Sequence, residues 1–120
     1  MDNSEFIANR IAKELLGSNI ESYRDILART DPSKAVPVYA GAVLAMRKLS
    51  EEDQDAIISF LRVVAADTAS QIFGVIGGSS DLEGVFEGFS LHYGKSEISE
   101  SLQDEFLAAS EQMIDLKPNK

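Results

Sequence analysis

The 120-residue chain has no cysteine and no tryptophan, a single histidine, three prolines, and eleven basic residues against twenty acidic ones. The missing cysteines exclude disulfides, thiolate catalysis and thiolate-ligated zinc or iron–sulfur centres together. They also suit a reducing compartment, and a cytoplasmic location is expected. One histidine leaves any imidazole-based metal site dependent on carboxylates scattered along the chain, so no metal and no cofactor is expected. The opening Met1-Asp2-Asn3-Ser4-Glu5 has no basic stretch leading into an apolar one, which is not the pattern of a signal peptide. The most apolar run, Ala56–Ala66, is shorter than the ~20 residues of a membrane crossing and contains Ser59 and Arg62. No membrane partner is expected.

Basic residues are scarce where they would matter for nucleic acid. The net charge is −9, and residues 63–120 contain ten acids but only Lys95, Lys117 and Lys120 as bases. Phosphate backbones are held by clustered Lys and Arg, so DNA and RNA are excluded as partners. An acidic surface serves solubility first, and it also admits a basic protein partner.

What the chain does have is helical periodicity. With 44% hydrophobic residues and 120 positions it is long enough to bury a core of its own. Ile7, Ile11 and Leu15 form one stripe, joined by Phe6, Ala8, Ala12 and Leu16, and predict a helix from Ser4 to Leu16. Gly17 reads as its stop, with Ser18 or Asn19 capping a second helix over about Ile20–Arg29 that aligns Ile20, Tyr23, Ile26 and Leu27. Asp31-Pro32 opens a turn, and Tyr39, Ala42, Val43, Met46 and Leu49 mark a third helix beginning near Pro32 or Pro37. Ser50 then precedes Glu51-Glu52-Asp53, a hydroxyl cap before an acidic first turn, and the apolar pattern runs on to Gly77-Gly78. At 100° per residue the polar positions Asp55, Ser59, Arg62 and Ser70 make one narrow face, and most of the remaining circumference is apolar. A helix apolar around most of its circumference is expected to be central and covered on several sides.

Beyond the double glycine the texture changes. Gly88-Phe89-Ser90-Leu91-His92-Tyr93-Gly94 alternates with period two and predicts a strand, with Phe89, Leu91 and Tyr93 on one face. Gly94-Lys95-Ser96 reads as a turn and Glu97-Ile98-Ser99 as a return strand. A last helix, from Ser99 or Ser101 to Ile114, is expected to turn Leu102, Phe106, Leu107 and Met113 inward. The fold class is therefore mainly α, about five helices in a bundle, with one small β-hairpin between the last two. A single domain over 1–116 with a flexible tail at 117–120 is expected.

Motifs for chemistry are sparse. Gly74 to Ser80 is glycine-rich, but it follows a helix and has no lysine, the reverse of a phosphate loop. Asp81, Glu83 and Glu87 lack the ligand density of a calcium loop, and Val85 and Phe86 are unsuited to one. Asp67 stands inside the apolar run, where a carboxylate needs a hydrogen bond or a cation such as Arg24, Arg29, Arg47 or Lys48. Asp67 and Gln71 are thus candidates for a polar core or pocket, and a small-ligand or enzyme site would require them to converge with His92. No residue is assigned a catalytic role. The acidic loop and strand, Asp81, Glu83, Phe86, Phe89, Leu91, His92 and Tyr93, are the candidate protein-contact residues, because an unpaired strand edge invites another strand.

The succession of Leu49-Ser50-Glu51-Glu52, a glycine-rich loop, Phe89 to Gly94 and Leu102 to Leu107 loosely resembles small bacterial domains of unknown function, over about residues 49–110. The shared motifs are generic. The resemblance implies a helical domain with a small β element and brings no catalytic residues. By size and charge the chain is also analogous to toxin-neutralising immunity proteins. The expected function is a non-enzymatic protein–protein interaction or self-associating domain, its partner a basic protein or a second copy of itself.

Overall fold

The computed structural model describes residues 2–114, so the expected tail at 117–120 lies outside the described residues. Among them the protein is mainly helical, with a two-stranded antiparallel hairpin before the last helix. The order is α1 (Asn3–Ala12), a π-helical segment (Lys13–Ser18), α2 (Asn19–Arg29), α3 (Pro37–Arg47), α4 (Glu51–Gly77), β1 (His92–Tyr93), β2 (Ser96–Glu97) and α5 (Leu102–Glu111).

The first helix does not stop at Gly17. Lys13, Ser18 and Asn19 all keep right-handed helical torsions, and the chain runs as one rod from Asn3 to Arg29. Inside it the helix widens into a π turn, in which the Asn19 amide donates to the Glu14 carbonyl five residues back. Tertiary contacts hold this turn open. The Arg62 Nε–H donates to the Leu16 carbonyl at 2.8 Å, and Arg62 Nη2 pairs with Glu21. Gly17 admits the Met113 side chain, whose terminal carbon lies 3.4 Å from where a Cβ would stand. Gly17 is therefore a packing glycine, and Ser18 caps nothing.

The helix before α3 resolves in favour of Pro37. Asp31 accepts from the backbone N–H and hydroxyl of Ser33 at 3.0 and 2.8 Å, a side-chain-closed turn, and Pro37 occupies the first turn of α3. At the start of α4, Ser50 Oγ accepts from the Asp53 amide as the cap predicts. At its end Gly78 takes φ +87°, and the Ser79 amide donates back to the Gly74 carbonyl, a Schellman closure.

The core lies between the first rod, one face of α4 and α5. Its buried residues are largely small (Ala8, Ala12, Ala66, Ala69 and Ala109), which brings the helices close around Leu16, Leu102 and Phe106. Phe106 is fully buried and meets Phe73 edge-on at 5.2 Å. Along α1 and the π-helical segment the buried row is Ser4, Ala8, Ala12 and Leu16; Ile7, Ile11 and Leu15 flank it half-buried, and Phe6 is exposed. In α5, Leu107 faces outward rather than in, because Ala109 and Ser110 occupy the contact with the core.

The hairpin is shorter than the alternation suggests. Only His92–Glu97 and Tyr93–Ser96 pair, across a two-residue turn in which Gly94 takes φ +59°, as a type II′ turn demands at its first position. Phe89 lies outside any strand, and Leu91 is tied instead by the Ser99 hydroxyl, which accepts from its amide at 2.6 Å. The hairpin is anchored through buried Ile98 and through Asn3, whose amide donates to Ser96 Oγ.

Candidate functional site

α4 is not the enclosed helix its composition suggests. Its buried residues, Ile58, Ala66, Ala69, Ser70 and Gly74, face the first rod and α5. On the other side Ile57, Phe60, Val64 and Ile72 are 46%, 63%, 45% and 55% exposed. At 100° per residue, Ile57, Phe60, Leu61, Val64, Thr68, Gln71, Ile72 and Val75 fall within a wedge of about 120° that runs roughly 27 Å along the axis. No charged residue lies in that wedge between Ile57 and Val75. The expectation of cover on several sides fails because the described residues supply cover for one side only. α4 is long and apolar enough to cross a membrane, with 22% of its most apolar window buried. One flank nonetheless packs on the fold, where Arg62 is held by Leu16 and Glu21.

At the C-terminal end the apolar face deepens into a groove of about 610 Å³, lined by Thr68, Gln71, Ile72, Val75, Leu82 and Phe89. Beneath the same loop is a smaller hollow of about 300 Å³ where Asp81, Glu87, Glu97 and Glu100 gather around Gly77 and Gly78. Four carboxylates beside a helix C-terminus repel an anion, in keeping with the rejection of a phosphate loop. The described residues contain no cluster suited to hold a metal ion.

The candidate contact residues Asp81, Glu83, Phe86, Phe89, His92 and Tyr93 are all exposed, Phe86 at 94%, whereas Leu91 is half-buried against the core. Phe89 and Asp81 border the apolar groove, while Tyr93 turns away to meet Phe6 at 6.3 Å. The strand edge on which self-pairing was expected is only two residues long, His92–Tyr93, and offers little for another strand to pair with.

Asp67 is exposed rather than buried, and the three arginines proposed for it are engaged elsewhere. Arg24 holds Asp55 and Glu21, Arg29 approaches Asp25 at 3.9 Å, and Arg47 donates to the Thr30 carbonyl. Gln71 lines the apolar groove and Asp67 does not. The nearest polar partner of the His92 ring is Ser90 Oγ, at 3.3 Å. The structure therefore does not bring Asp67, Gln71 and His92 into one pocket. Among the described residues, the Asp55 hydrogen bond raises Arg24 and the Ser33 hydrogen bonds lower Asp31. Both lie off the apolar face.

On α4, Ile57, Phe60, Val64 and Ile72 are residues that sequence reasoning assigned to the core and the structure leaves open. The chain exposes 8673 Å², against about 6,400 Å² for a folded monomer of its mass. Its radius of gyration of 17.4 Å exceeds the ~13.6 Å of a compact chain of this length. Comparison with protein-family models, with curated proteins and with solved structures finds no match.

Proposed function

We propose that the protein is a non-enzymatic interaction domain whose working surface is the apolar face of α4. The observation that carries this reading is an uncharged stripe of half-exposed Ile, Phe and Val, about 27 Å long, on a helix otherwise well seated in the fold. Contiguous apolar surface of that extent mostly marks a contact site, since water penalises it at about 25 cal/mol per Å². The aromatic Phe60 near one end and the groove at the other give the face the relief of an interface. Leu82 and Phe89 extend it into the loop after α4, which makes that loop part of the contact and leaves the hairpin as its support.

The test is a photo-crosslinking amino acid at Phe60, introduced into the protein in living cells of its host. Irradiation is expected to yield an adduct with protein, of whatever identity. Recovery of uncrosslinked chain alone, or of lipid adducts alone, would sink the reading.

A further inference from the structure

The structure points to a second copy of this chain as the occupant of the α4 face, with the two helices antiparallel about a two-fold axis level with Ala66. This rests on α4 being the contact surface and adds the partner and its geometry.

Area is the first support. Obligate homodimers bury about 1,000–2,500 Å² per protomer. The chain's 8673 Å² exceeds the monomer expectation by roughly 2,300 Å². Granting the seven undescribed residues the whole area of an unfolded chain, about 1,100 Å², still leaves roughly 1,200 Å². That whole-chain surplus, of which the α4 face is one part, falls within the range that one protomer of a stable dimer hides.

The second support is that the face complements itself. In an antiparallel pair centred at Ala66, Ile57 of one copy lies opposite Val75 of the other, Phe60 opposite Ile72, Leu61 opposite Gln71 and Val64 opposite Thr68. Each pair is equidistant from Ala66 along the helix, and all eight positions belong to the uncharged wedge. A two-fold contact requires this match of a surface with itself. The pairing also carries Phe60 to the end where Ile72, Val75, Leu82 and Phe89 form the groove.

Electrostatics chooses the direction. A parallel pair stacks the acidic first turns, Glu51, Glu52 and Asp53, against each other and sets Phe60 on Phe60, leaving the groove unfilled. The antiparallel pair places those turns at opposite ends and opposes the helix dipoles favourably.

The absence of cysteine makes the geometry directly testable. Sedimentation equilibrium of the full chain is expected to give about twice 13.1 kDa. Single variants Ile57→Cys and Val75→Cys are expected to form little disulfide dimer alone, because like positions lie about 27 Å apart along the axis. Their mixture is expected to cross-link at least ten-fold more. Phe60→Asp is expected to return the mass to monomer with helical circular dichroism retained.

A monomeric wild-type mass overturns the proposal, and so does a dimeric Phe60→Asp variant. Efficient cross-linking of either single cysteine overturns the antiparallel arrangement. Co-flotation of a monomer with neutral lipid vesicles, lost in Phe60→Asp, assigns the face to a membrane instead. A Phe60 photo-adduct with a different protein, from a chain that is monomeric alone, overturns the second copy while the contact-surface reading stands.

Discussion

Arg62 and Leu16 are joined across the fold. The guanidinium of α4 caps the Leu16 carbonyl inside the π turn, at 2.8 Å, and pairs with Glu21 one turn further on. The Arg62 side chain is 20% exposed, so its loss leaves a carbonyl poorly reached by water. Arg62→Ala is expected to cost about 2 kcal/mol, in the range of hydrogen bonds to charged groups. Glu21→Gln removes the half-exposed ion pairs to Arg62 and Arg24 but leaves the carbonyl contact, and is expected to cost less than about 1 kcal/mol. Urea titrations of the two variants check the order; equal losses would show that the carbonyl contact contributes nothing.

Three glycines in helices or at their ends are expected to respond with different signs. A Cβ at Gly77 stands 2.5 Å from the Ser99 carbonyl oxygen, a backbone atom that cannot turn aside. Gly77→Ala is therefore expected to destabilise by about 1–3 kcal/mol, despite alanine's better helix propensity. Gly78→Ala meets no neighbour but forces alanine to φ +87°, and is expected to cost about 1 kcal/mol. Gly41→Ala, open on all sides in mid-helix, is expected to stabilise by about 0.5–1 kcal/mol. Thermal melts of the three at one protein concentration decide the signs.

What could be read from the sequence was what local chemistry determines. Ser50 and Gly78 bound α4 because a hydroxyl cap and a left-handed glycine act on their own helix ends. Gly17 misled because its role is set by Met113, nearly a hundred residues away. The alternation from Phe89 to Tyr93 suggested a strand, but Ser99 takes the Leu91 amide and shortens it. The apolar circumference of α4 was plain, but composition carries no distinction between burial inside one chain and burial between chains. Asp67 was the one clue. A bare carboxylate in an apolar run marks a side that faces water or lies beside a contact.

Asp31 supplies a pH-dependent contribution whose sign follows from Ser33. The amide and hydroxyl of Ser33 stabilise the carboxylate, so its pKa in the folded protein lies below the ordinary aspartate value. Stability from this turn is complete above the unfolded-state pKa and fades as pH falls through the lower, folded one. Carbon-13 titration is expected to place Asp31 below the ordinary range in the wild type and to raise it in Ser33→Ala. An Asp31 titration identical in both proteins would show that the turn does not hold the charge.

Salt separates the two kinds of partner that an acidic chain can have. Each copy carries a net charge of −9, so bringing two together works against long-range repulsion, and only the apolar face favours the union. Raising salt from about 0.05 M to 0.5 M shortens the screening length from well over 10 Å to a few ångströms, which weakens that repulsion and leaves apolar burial intact. Self-association is therefore expected to tighten several-fold across that range, read as the dissociation constant from sedimentation. A basic partner held by the carboxylates around Gly77 and Gly78 would show the opposite slope, losing affinity as its attraction is screened. Phe60→Asp gives the internal control, because it adds one more negative charge within the apolar contact. If the face is the seat of the dimer, that variant stays monomeric even at the high-salt end, where screened repulsion no longer opposes pairing. A Phe60→Asp protein rescued to dimer by salt would place the seat of association outside α4.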